Sequence, residues 1–344
     1  MSLPPEEQDE AREENMLIQT LRPQSFKEYI GQEVTKNNLD VAIAAAKIRQ
    51  ESLEHILIHG PAGIGKTTLA YIIAKEMRAN LRVTSGPAIE KVGDLAAILT
   101  NLEAGDFLFI DEVHRLSKLI EEVLYPAMES RSLDIVLGKG TGARTIQLPL
   151  PPFTLVAATT RIGLLSAPLR SRFGSTFRLE FYTQKEIEDI LDRSAKILNI
   201  PLTPKARARL AAASRATPRV ANRLLKRCRD LAQVEGRASI DEEIVMKSLA
   251  MLEIDEVGLD AQDRKILKVL IERFNGGPAG IQAIAASYAE EEETILEVFE
   301  PYLLRLGFLT RTPRGRMVTK IAWQHLGFNP PPENPEEPQN EQLL

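Results

Sequence analysis

With 344 residues, 44% of them hydrophobic and 26% charged, the chain is long enough for two or three soluble globular domains, and its composition excludes collagen-like, mucin-like and disulfide-rich classes. A formal net charge of −5 excludes a general nucleic-acid coat, so any such contact has to come from a local patch. The single cysteine, Cys228, excludes an intramolecular disulfide; in a basic helical stretch with no His or Asp partner it reads as structural.

In chain order, the opening MSLPPEEQDEAREEN is acidic where a signal peptide is basic and then apolar. No run approaches the roughly 18 apolar residues of a membrane span, so an intracellular, cytoplasmic protein with no membrane partner is expected. Residues 1–15, and the Pro-, Glu-, Gln- and Asn-rich tail of residues 329–344, lack apolar side chains to offset ordering and are expected to be disordered.

Between these ends, short apolar runs alternate with helical patterns: His55–Gly60, Leu81–Thr84, Phe107–Asp111, Thr154–Thr160 and Phe177–Phe181. Their continuity predicts strands buried on both faces, and the intervening helices predict an α/β domain with a parallel sheet over residues 1–182. LDIVLGKGTGARTIQLPL interrupts the alternation with two extended arms, Leu133–Leu137 and Thr145–Leu150, around a Gly-rich turn. This is a hairpin that either covers core surface or presents apolar side chains to a partner. From Thr183, a predicted N-cap, four helical patterns in succession make residues 183–255 a small all-helical domain. Residues 256–328 predict a helix from Asp260 to Phe274, a Gly-Gly-Pro turn, a short helix from Ile281 and a helix from about Thr294 to Leu306. Two extended pieces around Pro-Arg-Gly follow, and three helices with a hairpin make a winged helix.

GPAGIGKT, Gly60–Thr67, fits G-x-x-x-x-G-K-[ST] and lies between a predicted strand and a predicted helix, where the mechanism of a P-loop needs it. Gly63 and Gly65 let backbone N–H groups wrap phosphates, Lys66 reaches the outer phosphates, and the Thr67 hydroxyl suits Mg²⁺, so ATP and Mg²⁺ are the expected cofactors. FLFIDE then places Asp111 and Glu112 at the carboxyl end of a buried strand, where ligands of open α/β sheets collect. Asp111 is the expected metal carboxylate, and Glu112 can polarise a water attacking the γ-phosphate, which makes the chain an ATP hydrolase. A third strand ends in Thr159 and Thr160; Thr159 is the candidate to orient that water, although strand-end threonines are common without such a role. Arg170 and Arg172, in APLRSRFG, read alone as a solvated loop. Beside a P-loop they suggest an arginine that neutralises transition-state charge, often in a neighbouring subunit's site, which implies an oligomer.

From Arg305 to Lys320 the chain carries Arg305, Arg311, Arg314, Arg316 and Lys320 with no acid. On a wing hairpin this reads either as a solvated basic turn or as a phosphate-contacting edge indifferent to base sequence.

The order of P-loop, FIDEVHRL, LVAATTR, APLRSRF, helical lid and basic winged helix resembles the AAA+ ATPases. LRPQSFKEYIGQ, TSGPAIEKVGDLAAILTNLE, EEVLYPAMES, LPPFTL, GLDAQDRKIL and EPYLLRLGFLTRTPRGR extend the match over nearly the whole chain to one family among them, the RuvB Holliday-junction branch-migration motors. The resemblance implies a homohexameric ring that pumps the duplex arms of Holliday junctions together with RuvA, with the RuvC resolvase as a further partner, in recombination, repair and the SOS response. It implies that Leu21, Arg22 and Tyr182 lie around the nucleotide, that Lys66, Thr67 and Thr68 hold its phosphates, and that Arg219 senses the γ-phosphate from the lid. By the same resemblance Arg172 is the finger donated to the neighbouring subunit, with Glu129, Ser130 and Arg131 near that shared face. Ile146 and Leu148, as apolar tip residues of the hairpin, dock on RuvA; the wing arginines, Arg311 and Arg316 above all, contact DNA.

Two departures accompany the resemblance. Ala216 stands where relatives carry glycine before Thr-Pro-Arg, which makes the turn into the lid helix less permissive. Glu290 to Glu293 stand where many relatives include an arginine; they suit a helix N-terminus and speak against a DNA contact there. A different class of function also fits the residues, a nucleotide-switched loader or regulator whose winged helix docks a partner and whose hydrolysis only resets it.

Overall fold

The computed structural model describes residues 20–137 and 144–331. Residues 1–15, the end of the acidic tail and the Gly-rich hairpin turn therefore lie outside the described residues. The chain divides into two compact units, residues 1–248 and 249–344. No helix among the described residues is long and apolar enough to cross a membrane.

In the first unit, α1 (Glu33–Arg49) precedes β1 (Ile56–His59), α2 (Lys66–Glu76), β2 (Leu81–Ser85), α3 (Val92–Thr100), β3 (Phe107–Asp111) and α4 (Lys118–Glu129). The antiparallel hairpin β4 (Ser132–Leu137) and β5 (Arg144–Pro149) leads to β6 (Thr154–Thr159), α5 (Ala167–Ser171) and β7 (Ser175–Arg178). The parallel sheet has the order β2-β3-β6-β1-β7, which sets the ends of β1, β3 and β6 side by side. β3 and β6 are buried along almost their whole length, as continuous apolar runs at the centre of a doubly covered sheet should be. β2 and β7 are different. Both are edge strands, so Arg82 and Val83 reach solvent and β7 alternates in burial, where a run buried on both faces is expected from the sequence.

His55 ties the central strands to α4. Its Nδ1 accepts the Leu155 N–H at 2.8 Å, which leaves Nε2 to donate to the Met128 carbonyl at 3.1 Å, and burial lowers its pKa, favouring the neutral ring these bonds require.

Four helices follow, α6 (Gln184–Ile197), α7 (Pro204–Ala213), α8 (Pro218–Val234) and α9 (Glu242–Met251). Thr183 caps α6 in a reciprocal box with Glu186. Thr203 and Thr217 cap α7 and α8, each followed by a proline whose missing N–H costs nothing in the first turn. Cys228 is buried on α8, and burial pushes its thiol up to about 11, in keeping with an unreactive structural cysteine.

The second unit contains α10 (Ala261–Phe274), capped by Asp260, then α11 (Ile281–Tyr288) and α12 (Glu292–Thr294). A π turn, Ile295–Phe299, joins α12 to α13 (Glu300–Arg305), where one regular helix is expected from the sequence. Pro301 has no N–H for a regular helical bond, and the wider turn before it accommodates that loss. The wing is β8 (Leu309–Thr312) and β9 (Gly315–Val318), and α14 (Lys320–His325), which the sequence pattern does not announce, closes the unit.

Candidate functional site

The P-loop follows β1 and turns through Gly63 and Gly65, both at positive φ, before Lys66 opens α2. At Gly65 a larger residue would be strained at φ 98° and its Cβ would stand 3.0 Å from the Tyr29 hydroxyl. Lys66 is 7% exposed and donates to the Gly60 and Pro61 carbonyls, each at 2.9 Å, so its ammonium is held inside the loop it serves. In the first turn of α2, Thr67 Oγ1 donates to Oδ2 of Asp111, at the end of β3, at 3.0 Å. A hydroxyl beside a carboxylate at a helix N-terminus is an all-oxygen set that a hard divalent cation accepts, so these two residues fit Mg²⁺.

Glu112 sits at φ 48°, a left-handed conformation that costs a non-glycine residue about 1–2 kcal/mol. Gly86 lies directly behind it, where a Cβ would collide with the Glu112 carbonyl. The carboxylate is met by Thr160 Oγ1 at 3.2 Å and His114 Nδ1 at 3.2 Å. Thr159 is fully buried instead; its hydroxyl meets His114 Nδ1 at 2.9 Å and accepts the Arg161 N–H. The hydroxyl that meets Glu112 directly is therefore that of Thr160, whereas Thr159, the candidate from the sequence, reaches the same group of residues only through His114. The last strand residue points into the sheet's packing and the next one turns out of it.

A cavity of about 510 Å³ joins these groups to the helical segment. Leu21, Arg22, Gly63, Gly65, Lys66, Thr67, Thr68, Asp111, Glu112, Tyr182 and Arg219 all line it, as expected. Arg193, Asn222, Arg223 and Lys226 line it as well and were missed. Their signal is periodicity, since Arg219, Asn222, Arg223 and Lys226 recur at one face of α8. Basic groups outnumber Glu28, Asp111 and Glu112 around the cavity, which suits a polyanionic ligand. Arg193 fixes the entrance by donating to the Leu21 carbonyl at 2.8 Å and to Glu28 at 3.1 Å; the Gln24 backbone N–H and then Arg193 hold the Glu28 carboxyl below its usual range.

Two links connect the P-loop to the lid helices. Tyr182 donates its hydroxyl to the Ile64 carbonyl at 3.2 Å and its N–H to the Ala216 carbonyl at 3.1 Å, and burial pushes its phenol up to about 12. Arg219 donates its backbone N–H to the Gly63 carbonyl at 3.3 Å. Ala216 holds φ 53°, directly after Arg215 at 55°. Relief of that strain, less the extra freedom glycine gives the unfolded chain, makes Ala216→Gly stabilising by about 0.5–1 kcal/mol, a gain that denaturant unfolding of the full chain should register. A loss of stability would show that the alanine methyl is packed rather than strained.

Arg172, Glu129, Ser130 and Arg131 do not line this cavity. Arg172 ends α5, donates to the Pro168 carbonyl at 2.7 Å, pairs with Glu129 at 3.2 Å and lies 4.3 Å over the Tyr125 ring. Tyr125 and Ser166 both bond the buried Glu121, so a network that sequence spacing does not reveal anchors the guanidinium's support. Glu129, Ser130 and Arg131, expected beside Arg172 near a face shared with a neighbouring subunit, adjoin it in the chain's own fold through Glu129, which pairs with its guanidinium. On the hairpin, Ile146 is 44% exposed, whereas Leu148 pairs with Leu133 and is half-buried against the core, so both lie along the arm β5 rather than at the tip.

In the second unit the wing is not without an acid. Glu300, on α13, is 1% exposed and accepts from Arg311 Nε at 2.8 Å and Arg316 Nε at 2.9 Å. Sequence distance conceals it, because it lies before the acid-free stretch. Arg314 is exposed on the turn between β8 and β9. Glu291 to Glu293 are exposed around the first turn of α12.

Comparison with known proteins follows the same division. Residues 21–179 match the Holliday junction DNA helicase RuvB P-loop domain, residues 182–255 the RuvB AAA lid domain and residues 256–327 the RuvB C-terminal winged helix domain. The chain is 59% identical over 309 residues to the Holliday junction branch migration complex subunit RuvB of Dehalococcoides mccartyi (strain CBDB1), covering 90% of this chain and 88% of that protein. It superposes on the Thermotoga maritima RuvB Holliday junction branch migration motor with TM-score 0.84 at 52% identity, covering 91% of this chain and 100% of the other. A mutant form of the same Thermotoga protein gives TM-score 0.85 at 52% identity, over 90% and 99% of the two chains.

Proposed function

The chain belongs to the RuvB family, and from that premise we propose that it is an ATP-driven DNA translocase that moves Holliday junctions. The observation that carries the reading is the meeting of Lys66, Thr67, Asp111 and Glu112 with the lid residue Arg219 around one cavity. A binding-only module has no use for a strained glutamate beside a P-loop.

Lys66 leaves its two carbonyls to hold the outer phosphates, while the N–H groups around Gly63 and Gly65 wrap them. Thr67 and Asp111 hold Mg²⁺, which when bound offsets the charge of the β- and γ-phosphate oxygens. Glu112, oriented by Thr160 and His114, takes the proton of the attacking water. Arg172 reaches the site of a neighbouring subunit, a role supported by its placement away from its own cavity. Arg219 rides on α8 and also touches the P-loop through its backbone, so a change in the phosphates can alter the lid's angle.

Duplex DNA is gripped through phosphates by the wing, with Arg314 at its turn and Arg311 and Arg316 behind it. The motor works as a homohexamer in the cytoplasm with RuvA, and Ile146 is the better of the two hairpin candidates for that contact, being exposed. RuvC and a role in the SOS response belong to the same reading.

Stoichiometry separates a motor from a nucleotide-switched loader. Phosphate release per duplex bound should reach many ATP for each binding event. A yield near one ATP per event would favour the loader.

A further inference from the structure

Glu300 is one of the few buried charges in the chain, and it lies outside the nucleotide site. An uncompensated buried carboxylate is strongly unfavourable, so its partners have to answer for its position. Both of its oxygens are used twice. Oε1 accepts Arg311 Nε at 2.8 Å and Arg316 Nε at 2.9 Å, and Oε2 accepts Arg311 Nη2 at 3.0 Å and Arg316 Nη2 at 3.2 Å. Each arginine thus offers the carboxylate the same edge of its planar fork, which turns the opposite Nη1 edge away from it.

The wing's register sets two cations side by side against this acid. Arg311 and Arg316 are direct partners in the β8–β9 register, so their side chains leave one face of the hairpin, and two cations opposite each other repel. β9 is also fixed on its outer side, where Arg316 exchanges backbone hydrogen bonds with Ala279 at 2.8 and 2.9 Å. The Arg311 side chain is 57% exposed and that of Arg316 is 18% exposed. Burial pushes the Glu300 carboxyl up, but the hydrogen bonds and charges of the two arginines outweigh it and hold it below the usual range, so it is an anion between them.

We propose that Glu300 is a positioning residue for DNA binding, which aligns Arg311 and Arg316 as a pair of fixed forks for adjoining backbone phosphates. The proposal rests on the preceding reading of the wing as the DNA contact. An acid that merely screened the wing would do so from the surface with one partner; Glu300 is inside the packing and orders two long side chains before DNA arrives, which lessens the entropy lost on binding.

Positioning and screening predict opposite signs when the charge is removed, because Glu300→Gln makes the wing more positive. Binding of the full chain to a short fluorescein-labelled duplex, followed by anisotropy across a salt titration, reads both sign and slope. Glu300→Gln should weaken binding about tenfold near 0.1 M salt and flatten the log–log slope by about 0.9 for each DNA phosphate the wing no longer neutralises. Arg316→Lys keeps the charge and loses the fork, and should weaken binding in the same direction. Tighter binding with a steeper slope, or unchanged binding, for Glu300→Gln would overturn the proposal. Should Glu300→Gln unfold the winged helix, Arg316→Lys decides alone, and native affinity there overturns it. Unchanged affinity and slope when Arg311, Arg314 and Arg316 are all alanine would instead overturn the DNA reading of the wing itself.

Discussion

Arg172→Ala should lower ATP hydrolysis by the assembled ring about 10³- to 10⁵-fold, the range an arginine finger contributes to phosphoryl transfer. Nucleotide affinity of the single subunit should hardly change, because Arg172 is absent from the lining of its own cavity. Its guanidinium is held by Pro168, Glu129 and the Tyr125 ring, none of which lines that cavity. Mixing supplies the strict check. A Lys66→Ala subunit cannot use its own P-loop but retains Arg172, so adding it to Arg172→Ala subunits should restore part of the hydrolysis. No recovery in rings shown to contain both subunits would place the finger's action within one chain, against the geometry.

Glu112→Gln should reduce hydrolysis by about 10²- to 10⁴-fold, the usual contribution of a positioned general base, and leave ATP binding close to native. The amide keeps the shape that Thr160 and His114 support but cannot take a proton from water. Lys66, Thr67 and the two P-loop glycines, which line the cavity, are untouched. Single-turnover hydrolysis with a labelled nucleotide, alongside equilibrium binding, separates the two effects. A variant that fails to bind would assign Glu112 to holding the nucleotide rather than to the water.

Much of this arrangement was legible because it is written in short contiguous runs. GPAGIGKT and FLFIDE each bring their chemistry with a strand attached, Thr183 caps its helix where the sequence places the cap, and the helix expected from Asp260 begins one residue later with Asp260 as its cap. What was not legible depends on partners distant in the chain. Whether Thr159 or Thr160 meets Glu112 is decided by where β6 stops and by His114 from the β3 side. Glu300 belongs to the wing only after α13 folds against β8 and β9, so a charge count restricted to the basic stretch misses it. β2 and β7 read as buried strands because apolar content does not reveal which strands are at the sheet's edges. Leu148 reads as a tip residue until its register with Leu133 places it along the arm, half-buried against the core. Ala216 is the reverse case, a departure noticed in the sequence whose left-handed backbone shows why glycine suits that place.

In a motor of this kind, hydrolysis at Glu112 is converted into movement of DNA. The most direct test of that conversion is the dissociation of a synthetic mobile four-way junction into duplex products, with RuvA present, by the native chain and by Glu112→Gln. The native chain with ATP should dissociate the junction, whereas a non-hydrolysable analogue and the variant should leave it intact. Dissociation at the native rate by a variant that binds ATP without hydrolysing it would show that movement of DNA does not need hydrolysis at Glu112.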